Sequence, residues 1–134
     1  MPVVKTEHLG IQTATDVVVA RQAVRSAAMA LGFSLVDQTK IVTAASELAR
    51  NTLDYGGGGT VSVIQIEENP RKGLRLIFDD QGPGIPDVQL ALKDGYTTGG
   101  GLGLGLGGAR RLVNDFEIES APGKGTRITI TRWK

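Results

Sequence analysis

Thr60–Glu67 (TVSVIQIE), Asn69–Gly73 (NPRKG) and Leu74–Asp79 (LRLIFD) decide the fold. The outer segments are rich in β-branched and large apolar residues, and the middle one carries Asn, Pro and Gly, so the stretch reads as a β-hairpin. Leu74, Leu76 and Phe78 alternate onto one face of its second strand. A second pair closes the chain. Phe116 and Ile118 alternate with Glu117 and Glu119, Ala121–Gly125 (APGKG) turns, and Thr126–Trp133 (TRITITRW) sets Ile128 and Ile130 on one face. Two hairpins argue against a fully parallel βαβ array.

Outward from the first hairpin the period changes from two to 3.6. Residues 3–8 predict a short first strand. Thr13 or Thr15 caps a helix from about Asp16 to Leu31, whose stripe is Val17, Ala20, Val24, Ala27, Ala28 and Leu31, and Gly32 stops it. Ser34–Asp37 is a variant capping box opening a second helix to about Asp54, which Gly56–Gly59 ends. Between the hairpins, a short helix from Asp87 to about Leu92 and another over about Leu106–Val113 are expected. This order predicts an α/β (α+β) two-layer sandwich: a mixed, mostly antiparallel sheet with helices on one face. The 134 residues fit one domain, 1–134.

Composition narrows the function. There is no cysteine, hence no disulfide framework and no thiolate chemistry. Fifteen basic and fourteen acidic residues give a net charge of +1, which offers no reason to expect nucleic acid or an anionic membrane as partner. The start MPVVKTEHLG lacks the basic-then-apolar pattern of a signal peptide, and the longest apolar stretch, Val17–Ala20, cannot span a bilayer. The expected location is cytoplasmic. The 19 glycines concentrate at Gly56–Gly59 and Gly99–Gly108, between patterned segments, where backbone must turn sharply or approach something closely.

Four pieces of sequence can carry chemistry. On the second helix Thr43, Glu47, Arg50, Asn51 and Asp54 share one arc, opposite Ile41, Ala44, Ala45, Leu48, Ala49 and Thr52. Glu47 and Asn51, four apart, are neighbours. A carboxamide oxygen suits Mg²⁺ and a carboxylate can take a proton from a hydroxyl. Taken alone, the arc reads as an ordinary solvated helix face. Asp80–Gln81–Gly82–Pro83–Gly84 follows a strand. Its carboxylate can accept from an exocyclic amine and its glycines let a flat ring approach, though alone it is a tight turn. Gly99–Gly108 runs into a helix, where free amides suit phosphate. It is not a P-loop, because no Lys–Ser/Thr follows. Gly103, Gly105 and Gly108 match G-x-G-x-x-G, but no strand leads in and no acid lies beyond Glu119. Gly123–Lys124–Gly125–Thr126 is by itself a hairpin turn whose hydroxyl could reach a ring.

In this order the four pieces resemble the GHKL ATPase superfamily: an N-box Glu47–Asn51, a D-x-G-x-G box Asp80–Gly84, a lid box Gly101–Leu102–Gly103–Leu104–Gly105, and a late G-x-T ending at Thr126. Ala20–Gln22, Ser46–Asn51, Asp79–Asp87 and Asp94–Gly100 make the chain similar to the small anti-sigma-factor-type serine/threonine kinases, in particular to the stressosome switch kinases. The resemblance implies a Bergerat, histidine-kinase-like fold with ATP and Mg²⁺ as cofactors. Asn51 would ligate the metal and Glu47 would be the base toward the acceptor hydroxyl. Asp80 would recognise the adenine amine with Thr126 in support, and Gly82 and Gly84 would admit the ring. Gly101, Leu102, Gly103, Leu104 and Gly105 would wrap the triphosphate, in a lid that includes Tyr96–Thr98. The implied substrates are STAS-domain scaffold or antagonist proteins of a stressosome. The kinase would then bind and activate a downstream effector such as a phosphatase.

Two features depart from the pattern. No arginine precedes the lid glycines, leaving phosphate charge to metal, backbone amides, or Arg50, Arg110 or Arg111. Tyr55–Gly56 replaces the usual His–Gly after the N-box. The alternative reading is a non-catalytic ATP-binding partner-switching module. A detached histidine-kinase domain is disfavoured, since the lone His8 sits in the first strand without dimerisation helices. A topoisomerase- or chaperone-like machine lacks room for a transducer domain.

Overall fold

The computed structural model describes residues 3–85, 87–92 and 105–134. The elements are β1 (Val3–Ile11), α1 (Ala14–Ala30), α2 (Leu35–Asp54), β2 (Gly59–Glu68), β3 (Arg71–Asp80), α3 (Val88–Ala91), α4 (Gly105–Arg111), β4 (Asp115–Ser120) and β5 (Thr126–Trp133). The five strands lie in the order β1-β2-β3-β5-β4. Every pairing is antiparallel, so the sheet is antiparallel throughout where the sequence allowed a mixed one.

Side-chain alternation divides the sheet into a covered and an open face. On the covered face, Leu9, Val61, Phe78, Ile128 and Ile118 stand in one cross-strand row, and Val63, Leu76, Ile130 and Phe116 in the next. The helices close over these rows. Val17, Ala20, Val24, Ala27 and Ala28 of α1 and Ile41, Ala44, Ala45, Leu48 and Ala49 of α2 join the same buried cluster. The alanines allow the helices close approach, and the large strand residues fill the space between layers. On the open face Trp133 lies over Gly73, where a Cβ would come within 2.6 Å of its ring. The Arg71 guanidinium covers that ring at 4.0 Å.

The helix ends follow the local signals. Thr13, not Thr15, caps α1: its hydroxyl accepts from the Asp16 amide at 3.1 Å and Asp16 accepts from the Thr13 amide at 3.2 Å. Gly32 ends α1 with φ +83°. Ser34 caps α2 through the Asp37 amide at 3.1 Å, but the Asp37 carboxylate bonds Arg132 at 2.6 Å instead of completing a box. Helix α4 stops at Arg111, short of Val113, because the Leu112 amide tightens onto the Ala109 carbonyl at 3.1 Å. β1 reaches Ile11, three residues past the predicted end. His8 is exposed, as an ordinary surface residue, with Nδ1 2.9 Å from Ser62 Oγ.

Candidate functional site

One cross-strand row on the covered face is not apolar. Ile11, Gly59, Asp80, Thr126 and Ser120 are in register across all five strands at one end of the sheet. Asp80 and Thr126, which the sequence places forty-six positions apart, are thus direct neighbours, and both are buried. Asp80 Oδ1 accepts from the Gly82 amide at 2.9 Å. Burial raises the Asp80 pKa above the ordinary carboxylate value, against the opposing pull of the Gly82 and Thr126 amides. A carboxylate kept in so dry a place is a strong acceptor for a ring amine that brings its own donor.

Ser120 was not singled out in the sequence, yet it organises this row. Its Oγ lies 2.8 Å from Thr126 Oγ1, accepts from the Ile85 amide at 2.7 Å and donates to the Gly125 carbonyl at 3.1 Å. It therefore joins the loop after β3 to the β4–β5 turn. The Gly123 amide adds a bond to the Pro83 carbonyl at 2.7 Å. The same seam explains two glycines. Gly84 has φ +78°, and its Cβ would land on the Ala121 carbonyl oxygen. A Cβ on Gly82 would fall 2.7 Å from Gly56 Cα. Both positions are glycine because backbone meets backbone, a reason beyond the ring access and the tight turn that the sequence suggests.

The second wall comes from the end of α2. The Asn51 carbonyl accepts from the Tyr55 amide at 3.0 Å and the Gly56 amide at 3.1 Å, and Gly56 packs against the Asp80 carboxylate. The Tyr55 hydroxyl donates to the Gly84 carbonyl at 3.0 Å. Tyr55–Gly56, the departure from the His–Gly pattern, thus clamps α2 to the loop after Asp80. Asn51 is half-buried, and among the described residues its carboxamide has no hydrogen-bond partner. One uncommitted amide oxygen fits Mg²⁺, which keeps most of its shell for phosphate and water.

Glu47 corrects the helical-wheel expectation of a solvated arc. It is 3% exposed. α4 lies along α2 on this side, and the Gly105 amide donates to Glu47 Oε1 at 3.4 Å. Gly105 takes φ +63°, which explains glycine there. Of the lid box, Gly101, Leu102, Gly103 and Leu104, like Tyr96–Thr98, lie outside the described residues. Arg110 is exposed at the far end of α4. A cavity of about 410 Å³ opens at the same end of the sheet, lined by Asp80, Thr126 and Ser120 together with Asp79, Lys124 and Arg127. Arg127 is committed there to Asp79, with Nε 3.0 Å from Oδ1 and a second bond from its fork.

Asp80, buried at the sheet end, thus stands near the end of the helix that carries Asn51 and, one turn before it, Glu47, as the resemblance to one ATPase family leads one to expect. Residues 36–134 match that family, described as histidine kinase-, DNA gyrase B-, and HSP90-like ATPase.

The chain belongs to this ATPase family.

It is 48% identical over 123 residues to the serine/threonine-protein kinase RsbT of Bacillus subtilis, covering 92% of both chains. It is 28% identical over 117 residues to an anti-sigma F factor of Clostridium kluyveri, covering 84% of this chain and 82% of that one. Among solved structures, the RsbU and RsbW domains of Rv1364c from Mycobacterium tuberculosis superpose with a TM-score of 0.67 at 19% identity. That likeness, a matter of fold, covers 98% of this chain and 33% of the longer one. The expectation of a serine/threonine kinase on a GHKL fold is met by a relative that matches this chain nearly end to end.

Proposed function

We propose that this chain is a serine/threonine protein kinase of the cytoplasm that uses Mg-ATP to phosphorylate STAS-domain scaffold proteins. It then leaves them to bind and activate a downstream effector. The observation that carries the nucleotide half is the row of Asp80, Thr126 and Ser120 against Gly56 and Gly82: a buried acceptor beside a wall without Cβ atoms. The partner half is supported by the names of the relatives, a protein kinase and anti-sigma factors.

In this reading Asp80 accepts the adenine amine, and Thr126, steadied by Ser120, supports it. Asn51 would contribute its amide oxygen to Mg²⁺. Glu47 would orient or deprotonate the acceptor hydroxyl, and the role of the lid glycines Gly101, Gly103 and Gly105 would be to serve the triphosphate. ATP supplies the transferred phosphoryl group and Mg²⁺ neutralises it; the chain's task is positioning.

Incubation with Mg-ATP and a purified STAS-domain protein should label that protein on Ser or Thr. Glu47→Ala should abolish the label, and equal labelling by both forms would remove Glu47 from its role. If nucleotide binds and depends on Asn51, yet no phosphotransfer is found with any partner, the chain is a non-catalytic switch module.

A further inference from the structure

Arg132 is an unexpected residue on the covered face of the sheet. It stands in the row of Leu74, beneath the helices, with its side chain 14% exposed. Its Nη1 donates to the Leu112 carbonyl at 3.0 Å and its Nη2 to Asp37 Oδ1 at 2.6 Å. Its Nε is buried without a hydrogen-bond partner among the described residues. A methionine would fill such a place without the cost of desolvating a guanidinium. What only arginine does here is reach two elements at once, with one fork.

Those two contacts sit at matched ends of a pair of helices. Asp37 is in the first turn of α2, and Glu47 lies ten residues on, about 15 Å along the axis. Leu112 closes α4, and Gly105 begins it, about 10 Å away. Gly105 meets Glu47 and Leu112 meets Arg132, which meets Asp37. α4 therefore runs antiparallel to α2 and is held at both ends. It needs holding: three of its seven residues are glycine (Gly105, Gly107, Gly108), so its own propensity is poor. Arg132 also satisfies a carbonyl that the helix end leaves open.

We infer that Arg132 is a positioning residue: by bridging Asp37 and the end of α4 it sets α4 along α2, and so keeps the Gly105 amide on Glu47. What this positioning serves rests on the nucleotide reading above; the hold on α4 does not.

The test pairs amide exchange with Mg-ATP affinity in the full chain. Arg132→Met, Arg132→Lys and the milder Asp37→Asn are compared with Val24→Ala, a core truncation on α1. Arg132→Met and Asp37→Asn should speed exchange at Ala109–Leu112 about tenfold beyond any change in the sheet amides. They should weaken Mg-ATP about tenfold, with Arg132→Lys between them and the wild type. Val24→Ala should loosen the amides together, with no local excess. If Arg132→Met and Asp37→Asn behave like Val24→Ala, or if α4 loosens while Mg-ATP affinity holds, the positioning role is overturned. A wild-type chain that binds no Mg-ATP overturns the nucleotide reading instead. The exchange pattern then still supports or overturns the hold of Arg132 on α4.

Discussion

Gly56 lies flush against Asp80. A Cβ built on Gly56 would stand 2.6 Å from Asp80 Oδ2 and nearer still to Cγ. The end of α2 and the end of β3 are thus fitted together with no side chain between them, and the carboxylate takes its direction from that fit.

Gly56→Ala tests this contact with little else disturbed, because Gly56 is not among the glycines with positive φ and alanine can adopt its backbone. The added methyl must displace the Asp80 carboxylate or the turn after α2. We expect a loss of about 1–3 kcal/mol in stability, typical of overpacking, and at least a tenfold loss of nucleotide affinity, equivalent to about 1.4 kcal/mol. Denaturant unfolding and calorimetric titration measure the two. Unchanged affinity would mean that Asp80 is not set by Gly56.

Asp80 itself should trade stability for binding. Its pKa is raised by burial, so the folded state favours the protonated form. The charged form costs stability at every pH above the folded pKa, and the cost fades as pH falls through it. Asp80→Asn carries no such charge and no such cost. At neutral pH the variant should be as stable as the wild type or more so. On acidification the wild type should gain relative to it, over the interval just above the ordinary aspartate range. Nucleotide affinity should meanwhile fall by about 1.5–3 kcal/mol, the worth of a hydrogen bond to a charged group. A stability difference independent of pH would show that the carboxylate is not strained by its burial.

The parts of the site differ in how openly the sequence displays them. Glu47 with Asn51, and Asp80 with Gly82 and Gly84, are each local in the chain, so spacing alone brings them to notice. Both hairpins and the alternating core residues were legible for the same reason: period and turn chemistry are short-range signals. Burial is not. Glu47 looks solvated on a helical wheel because the wheel does not know that α4 will lie over it. Ser120 and Arg132 carry no motif, and their meaning comes from strand register and from packing across about 95 residues between Asp37 and Arg132. The signal in the sequence that marks Arg132 is its place in the alternation of TRITITRW, two positions after Ile130 and on the same inward face.

Ser120 should prove as important as the residues that announce themselves. Its hydroxyl serves the Ile85 amide, the Gly125 carbonyl and the Thr126 hydroxyl together. Ser120→Ala leaves those groups to find other partners, at about 1–3 kcal/mol of stability. It also frees the loop after β3 from the β4–β5 turn. Amide exchange should rise at Ile85 and Gly123 ahead of the rest of the sheet, and nucleotide affinity should fall with it. Protection that stays uniform in Ser120→Ala would show the hydroxyl to be dispensable for the seam.

Glu47→Gln separates chemistry from architecture at the remaining carboxylate. Glutamine keeps the length of the side chain and an oxygen that can accept from the Gly105 amide, the bond seen at 3.4 Å. It cannot take a proton. If Glu47 serves as the base, Mg-ATP affinity should stay within a few-fold of wild type, while phosphoryl transfer to a STAS-domain protein falls by about 10²–10⁴, the usual contribution of a positioned base. If Glu47 instead matters only because it is buried against α4, the order reverses. Stability and affinity would then change together, and the transfer rate of whatever nucleotide remains bound would be kept. Single-turnover transfer at saturating Mg-ATP, set beside unfolding curves for both forms, distinguishes the two. A buried carboxylate that carries catalysis gives a rate defect without a stability defect, because the isosteric amide removes the charge and leaves the packing in place.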